Sequence, residues 1–323
     1  MANELLSNQI YDMAISCGFD NCGIISVDDT DGFDAHLQER TQAVPSSAFF
    51  YEAAGMANGV RKRFPWAKSI IICTYWLGRY RFPASLQGQY AKSFFLSPGN
   101  EMCREFQEGL RAFEAWCTER GIRLEGGNHF GHMSIGALRY AAMKAGLGII
   151  RKNNFLYTEE GSFVDLIGYV IDKACVLHHT PNIKPCSEKC NLCQRSCPSG
   201  ALKGAYTMNP LECVSFLTTF GKGTLPPDMD EKSCGTWICG CDTCQDACPH
   251  NRRHDWTSGE AYPGLEELEP ELKPDKLLLQ SDEFLKKRVI PYTEHHIMPD
   301  EAETLRLCAA RSIRNQNVGK EAR

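Results

Sequence analysis

The stretch 186-CSEKCNLCQRSCP-198 places four cysteines within twelve residues and ends in proline. A shorter stretch of the same kind, 241-CDTCQDACP-249, follows farther along the chain. In ferredoxin-type runs of this spacing, three closely spaced cysteines ligate one [4Fe-4S] cluster, and the cysteine before the proline ligates the other. The two stretches therefore predict two interlocked [4Fe-4S] clusters.

The order of the cysteines predicts which of them share a cluster. The first cysteine set consists of Cys186, Cys190, Cys193 and Cys248. The second cysteine set consists of Cys197, Cys213, Cys241 and Cys244. Cys234 and Cys239 are left over, and Cys239 is an alternative ligand because it is close to Cys241 in the sequence.

Structural zinc is the alternative to iron–sulfur clusters. Zinc sites usually combine two C-x2-C pairs that are separated by a spacer, whereas runs of three or four cysteines that end in C-P fit cubane clusters better. Three residues separate Cys186 from Cys190, one more than in the bacterial ferredoxin run. The extra residue predicts a local bulge.

The distribution of the 17 cysteines separates two kinds of thiol. Ten lie between Cys186 and Cys248, where they favour metal binding, because structural disulfides are disfavoured in a reducing cytosol. The others are predicted to be small buried apolar residues. They are Cys17, Cys22, Cys73, Cys103, Cys117, Cys175 and Cys308.

Composition and charge exclude several classes of protein. No apolar run approaches the roughly 20 residues that cross a bilayer. The N-terminus, MANELLSNQIYDMAIS, lacks the basic start and apolar core of a signal peptide, so a cytoplasmic location without membrane contact is expected. The formal net charge of -5 disfavours nonspecific nucleic-acid binding.

Hydrophobic periodicity predicts the fold class α+β. A mixed α/β domain at residues 1–180 is followed by a ferredoxin-like domain with two [4Fe-4S] clusters at 181–255 and a C-terminal extension at 256–323 that packs back on the first domain. Predicted helices cover 3–17, 100–120 with Asn100 as cap, 134–146 and 300–316. Predicted strands cover 22–27, 69–76 and 163–171, and a polar, loop-rich stretch precedes residue 65.

Several segments together resemble the epoxyqueuosine reductase family, which is akin to the reductive dehalogenases. KSIIICTYW is similar to the family's buried strand ahead of the cofactor site, and GQYAKSFF to the segment after it. KAGLGIIRKNNFLYTEEGSFVDLIGYVI (144–171) resembles the A-G-L-G-W-x-G-K-N segment and the strand beyond. CNLCQRSCPSGAL, ECVSFLTTF and GCDTCQDACPHN resemble the cluster motifs in order and spacing.

The resemblance implies a cobalamin-dependent reductase with cobalamin bound between the N-terminal domain and the cluster domain. The clusters would reduce cobalt to Co(I), which would remove oxygen or another leaving group from an organic substrate. A ferredoxin- or flavodoxin-like protein would donate the electrons. The implied cofactor-binding residues are Gly146, Gly148, Lys152 and Asn153, although Gly146 is equally explained as a helix cap.

Two departures from the family bear on catalysis and substrate. His132 stands where the family has a proton-donating aspartate, and Tyr140 is a second candidate donor, each with a structural role as its alternative. The chain also ends where the family's helical-repeat region, implicated in holding tRNA, would begin. This weakens tRNA as the substrate. Two alternatives remain: an epoxyqueuosine reductase that acts on tRNA, and an electron-transfer or corrinoid-reducing protein that serves a partner.

Overall fold

The computed structural model describes residues 2–53, 59–127 and 135–321. The backbone forms two compact units. The first comprises Met1–Trp76 and Cys103–Cys190, and the second comprises Leu77–Met102 and Asn191–Arg323. The segment Leu77–Met102 is therefore part of the same unit as most of the cysteine-rich region. The division into domains at residues 180 and 255 stays a prediction.

Short strands and two long ones form three sheets. The largest sheet has four strands in the order β1-β2-β7-β4, and every pair in it is antiparallel. In the second unit, β3 and β8 pair in parallel, and in the first unit β5 and β6 form an antiparallel hairpin. The strands are β1 (Asn21–Ser26), β2 (Ser69–Trp76), β3 (Tyr80–Arg81), β4 (Leu124–Gly126), β5 (Ile149–Ile150), β6 (Leu156–Tyr157), β7 (Val164–Ile171) and β8 (Glu260–Ala261).

The helices of the described residues are mostly short. Two of them, α6 and α7, cover the large sheet. The helices are α1 (Ala2–Ser16), α2 (Asp31–Ala43), α3 (Ala48–Ala53), α4 (Val60–Arg63), α5 (Lys92–Phe95), α6 (Arg104–Glu119), α7 (Leu138–Lys144), α8 (Leu192–Ser196), α9 (Val214–Leu217), α10 (Thr243–Asp246), α11 (Leu265–Leu268), α12 (Pro274–Leu277), α13 (Asp282–Phe284) and α14 (Ala302–Glu321). A π-helical turn at Leu285–Val289 follows α13.

The central strand β2 is apolar along its length because both of its faces are covered. On one face Ile70 and Ile72 join a buried cluster with Ala141 of α7. On the other face Tyr75 contacts Phe106 of α6, with ring centroids 4.8 Å apart. The sheet therefore lies between two helices, as the alternation of helical and strand patterns predicted.

The second unit is held together by bonds between distant parts of the chain. The Tyr90 hydroxyl donates to the carbonyl of Leu272, and the Tyr262 hydroxyl donates to the carbonyl of Ser97 over 2.7 Å. Each bond joins the segment Leu77–Met102 to the region that follows the cysteine motifs. Buried hydroxyls of this kind need a partner, so these bonds fix the segment in the second unit.

Two local predictions are wrong. The stretch before residue 65 contains the helices α2, α3 and α4. It looked like a loop because α2 buries only Leu37 and lacks an apolar stripe. Asn100 does not cap α6, whose N-cap position is held by Cys103. The Asn100 amide instead donates to the carbonyl of Phe94 over 2.8 Å, which occupies it in the turn after α5.

Six of the seven scattered cysteines are buried free thiols, as predicted, whereas Cys17 is only half-buried. Cys22 and Cys73 are directly opposed on β1 and β2, and both are fully buried. Burial raises the pKa of the Cys73 thiol well above its usual value, and the neighbouring Cys22 raises it further. Both residues belong to the core, and Cys73 is a protonated thiol there. Across the described ranges, no helix combines the length and apolar character that a membrane span requires.

Candidate iron–sulfur site

The thiols of the second cysteine set influence one another's ionisation within the second unit. Burial raises the pKa of the Cys244 thiol well above its usual value, and the neighbouring thiols of Cys241, Cys213 and Cys197 raise it further. The pKa of Cys241 is raised by burial and by Cys213 in the same way. All four cysteines are half-buried. Thiolates are the ligands of iron–sulfur clusters, and ligation by these four cysteines stays a prediction.

Short helical elements present these cysteines. Cys213 lies between the turn Pro210–Glu212 and α9, and its carbonyl accepts the amide of Leu217 over 2.9 Å. Cys244 lies within α10, while Cys197 follows the last residue of α8. Three separate segments of sequence therefore supply the set, as an interlocked pair of motifs requires.

A small apolar core and a hydroxyl support Cys241. Cys241 packs against a buried cluster that includes Val214, Leu217 and Trp237. The Cys241 thiol lies 3.4 Å from the Thr243 hydroxyl, which accepts the Trp237 indole N–H over 3.0 Å. Hydrogen bonds and an apolar shell around ligand sulfurs are among the features that tune an iron–sulfur cluster.

The leftover cysteines have surroundings of their own. Cys239 is fully buried, and burial followed by the neighbouring Cys308 raises its pKa. Its amide and carbonyl bond to the segment that carries Gln89 and Ala91. The buried Cys234 thiol lies 3.4 Å from the guanidinium of Arg311. These contacts explain both residues without a cluster, and ligation by Cys239 stays a prediction.

A buried ion pair that the sequence did not reveal adjoins the second cysteine set. The Lys92 ammonium lies 3.3 Å from Asp242 and 3.0 Å from Asp246, and the Lys92 backbone amide donates to Asp242 over 2.8 Å. The side chains of Lys92 and Asp242 are 2% and 1% exposed. Asp242 stands between the ligand candidates Cys241 and Cys244 in the sequence, so this pair anchors the loop that carries both.

Both partners of this pair are charged near neutral pH. Burial lowers the pKa of Lys92, but Asp242 and Asp246 outweigh that effect and raise it overall. Burial raises the pKa of Asp242 to about 6 in spite of Lys92. The ammonium also lies 5.2 Å from the centre of the Trp256 ring. In the sequence, the only sign of this ion pair is that Asp242 lies between the ligand candidates Cys241 and Cys244. Its partner Lys92 is 150 residues away and could not be inferred.

The first cysteine set stays a prediction, and its local geometry is that of tight turns. The Cys190 amide donates to the carbonyl of Ser187 over 3.0 Å, and the Cys248 amide donates to the carbonyl of Gln245 over 3.1 Å. The Cys186–Cys190 loop thus closes in a turn, whereas the extra residue predicted a bulge. Within residues 2–53, 59–127 and 135–321, no three His, Cys, Asp or Glu side chains could hold a metal ion between them.

The two glycines predicted to line cobalamin are packed against the backbone of the first unit. Gly146 has a φ of +75°, and the amides of Gly146 and Leu147 bond back to Met143 and Ala142 in the pattern that ends a helix. A Cβ at Gly146 would collide with the carbonyl of His179, and one at Gly148 with the carbonyl of Tyr157. Helix capping and close packing explain these glycines, and contact with cobalamin stays a prediction.

The other predicted cofactor residues also bond within the first unit. The Lys152 ammonium donates to the carbonyls of Ser187, Glu188 and Cys190, each over 2.8 Å. The amide of the buried Asn153 donates to the Tyr157 hydroxyl over 3.0 Å. These contacts give no support to direct cobalamin binding. The bonds of Lys152 instead connect the A-G-L-G segment to the loop of Cys186 and Cys190.

The predicted proton donors are placed only in part. His132 lies outside the described residues. Tyr140 is buried in α7, and its ring lies 5.9 Å from Phe33 and 5.8 Å from His36, both on α2. Its hydroxyl lies directly against Gly32, where a Cβ would collide with it. These are packing contacts, and a catalytic role for either residue stays a prediction.

Comparison with known proteins supports both the clusters and the resemblance. Residues 186–251 match the family model described as a 4Fe-4S double cluster binding domain. The chain is 37% identical over 175 residues to an epoxyqueuosine reductase of Listeria monocytogenes. It is also 29% identical over 294 residues to the epoxyqueuosine reductase of Bacillus cereus. The chain is similar in sequence to the epoxyqueuosine reductases.

The fold agrees with this relationship. A crystal structure of epoxyqueuosine reductase with a tRNA-Tyr epoxyqueuosine-modified stem loop superposes on 96% of this chain and 81% of that one, with a TM-score of 0.69 and 24% identity. This confirms the predicted α+β fold with its double-cluster region. The match spans 52% of this chain and 44% of the Listeria epoxyqueuosine reductase, and 88% of this chain and 74% of the Bacillus cereus one. Thus the chain spans about half the length of the first curated relatives it matches.

Proposed function

We propose that this chain is a two-cluster iron–sulfur reductase of the epoxyqueuosine reductase type. It would remove oxygen or another leaving group from an organic substrate. The observation that carries the proposal is the match of residues 186–251, which contain all eight candidate ligand cysteines, to a double-cluster domain. The clustered free thiols also support the predicted cytoplasmic location.

The chain's own residues have two tasks in this function. The cysteines hold the redox centres, which supply single electrons when bound. The first unit, with its sheet between α6 and α7, holds the substrate and delivers protons. Removal of one oxygen atom as water consumes two electrons and two protons, so an electron donor is required, and a ferredoxin- or flavodoxin-like protein is the donor that the resemblance implies.

Cobalamin is part of the proposal through the family resemblance. When bound, it would supply a strongly nucleophilic reduced metal centre for attack on the substrate. The contacts of Gly146, Gly148, Lys152 and Asn153 lie within the protein, so no step of the proposed function depends on these four residues as cofactor contacts. Cobalt analysis after anaerobic loading with cobalamin tests this part separately from the clusters.

A second candidate function is the reduction of epoxyqueuosine within tRNA. It is favoured by the superposition of 96% of this chain on an epoxyqueuosine reductase that was crystallised with a modified tRNA stem loop. The net charge of -5 opposes it, because RNA binding depends on cationic contacts with phosphates. The two candidates differ in whether RNA is needed for turnover.

An anaerobic turnover assay separates these functions. The cluster- and cobalamin-loaded protein is supplied with a chemical reductant and either free epoxyqueuosine nucleoside or a stem loop that carries it, and the deoxygenated product is measured by mass spectrometry. We expect turnover of the free nucleoside. Turnover of the stem loop alone, with salt-sensitive binding, would favour the tRNA function. A fully loaded protein that reduces neither would instead indicate electron delivery to a partner.

A further inference from the structure

Lys152 makes a set of bonds that its sequence position did not predict. Its ammonium donates to the carbonyls of Ser187, Glu188 and Cys190, each over 2.8 Å. A lysine ammonium has three N–H donors, so the loop takes all of them. Charge-assisted hydrogen bonds of this length are stronger than neutral ones. The ammonium therefore holds the backbone between Cys186 and Cys190 from one side.

The extra residue in the Cys186–Cys190 loop affects the carbonyls that the Lys152 ammonium contacts. Three residues separate Cys186 from Cys190, one more than in the bacterial ferredoxin run. The Cys190 amide closes a turn on the carbonyl of Ser187 over 3.0 Å, and the same carbonyl also accepts from Lys152. The longer loop thus turns its carbonyls toward one ammonium. Without the Lys152 ammonium, the carbonyls of this loop would lose their shared hydrogen-bond donor.

The lysine is itself held in place by the hairpin β5–β6. The Asn154 amide closes the hairpin turn on the carbonyl of Arg151 over 2.8 Å, and Asn154 has a φ of 66°. The Asn154 side chain accepts from Arg40 of α2 over 3.1 Å. The turn that carries Lys152 is thus fixed at its backbone and at a side chain. A side chain on a fixed turn can position a neighbouring loop, because the turn loses little conformational entropy when the contact forms.

The charge of the Lys152 ammonium is directed at backbone carbonyls. In the described part of the chain, Lys152 forms no ion pair with an aspartate or glutamate, and its three acceptors are neutral carbonyls. A positive charge beside an iron–sulfur cluster favours its more negative reduced state. The contact therefore has an electrostatic consequence besides a structural one.

We propose that Lys152 is a positioning residue for the first cluster: it holds the Cys186–Cys190 loop in its ligating shape, and its charge raises the reduction potential of the cluster bound there. This rests on the proposed two-cluster function. The role differs from the cofactor contact that the resemblance implied for this residue. It also links the A-G-L-G segment of the first unit to cluster assembly rather than to cofactor binding.

Three variants test the proposal: Lys152→Met, Lys152→Arg and Arg151→Met. Arg151 is the matched control, because it is adjacent, carries the same charge, and donates to the carbonyl of Lys184 outside the Cys186–Cys190 loop. Each full-length protein is loaded anaerobically, its iron is counted, and the midpoint potentials of its clusters are measured by redox titration with EPR detection. We expect Lys152→Met to lose up to half of the iron, with a lower potential in the first clusters that remain. Lys152→Arg should restore the potential, and Arg151→Met should match the wild type in iron content.

Three outcomes would contradict either the role proposed for Lys152 or the two-cluster function itself. Wild-type iron and unchanged potentials in Lys152→Met would overturn the proposal. So would Arg151→Met if it reproduced the loss of iron and the shift in potential, because any charge on the hairpin would then suffice. A wild-type protein that binds no iron would contradict the proposed function itself, whatever the variants do.

Discussion

Replacing Cys244 with serine is expected to lower the iron content of the chain from about eight atoms to about four. Cys244 lies beside Cys241, Cys213 and Cys197, whose thiols all raise its pKa. A cubane that loses one of its four thiolates loses the ligand of one iron. Because electrons must pass through both clusters in the proposed function, reductive turnover should be abolished. Iron analysis and EPR of the anaerobically loaded variant measure both effects.

Cys239→Ala is the matched control for this experiment. Cys239 is close in sequence to the second cysteine set but fully buried, and its thiol is influenced by Cys308 rather than by the set. Its variant should retain about eight iron atoms. Loss of a cluster in Cys239→Ala, together with wild-type iron in Cys244→Ser, would show that Cys239 is the ligand and would contradict the assignment.

Removing the ammonium of Lys92 is expected to produce the largest loss of stability in the second unit. The Lys92→Met variant would leave the carboxylate of Asp242 buried and uncompensated beside Cys241 and Cys244. Breaking a buried ion pair from one side typically costs about 3 to 5 kcal/mol. The loop between the two cysteines should loosen as a result. Thermal unfolding of the cluster-loaded protein, followed by circular dichroism under argon, measures the loss.

The double variant Lys92→Met with Asp242→Asn separates the ion pair from general damage to packing. It removes the unpaired charge, so it should recover a large part of the stability that Lys92→Met loses. Lys203→Met is a useful comparison, because Lys203 pairs with Glu212 at the surface of the same unit and surface pairs contribute about 1 kcal/mol or less. If Lys92→Met and Lys203→Met unfold at the same temperature, the buried pair does not stabilise the loop.

The sequence predicted those features that depend on local patterns. The strand at residues 69–76 was correct to the residue because an uninterrupted apolar run must be buried on both faces. The two clusters followed from the cysteine spacing and from the proline after each run, and residues 186–251 match a double-cluster domain. Both predictions depend on residue types and spacings within short stretches of the sequence.

The features that the sequence did not reveal depend on distant contacts. Lys92 meets Asp242 across 150 residues of chain, and Lys152 meets Cys190 across 38. No periodicity or motif connects such pairs before the chain is folded. The family resemblance suggested a cofactor role for Lys152 because Lys152 aligns with a residue of the family's motif. In the structure its ammonium instead donates to backbone carbonyls of the Cys186–Cys190 loop. The polar helix α2 was missed because its single buried residue gives no helical stripe.

Metal and sulfide analysis of the wild-type protein, purified without oxygen, tests the two-cluster account most directly. The four thiols of the second cysteine set and the double-cluster match of residues 186–251 predict about eight iron and about eight acid-labile sulfide per chain. Reduction should then give the EPR signals of two interacting [4Fe-4S] clusters. Stoichiometric zinc with neither iron nor labile sulfide would contradict the account.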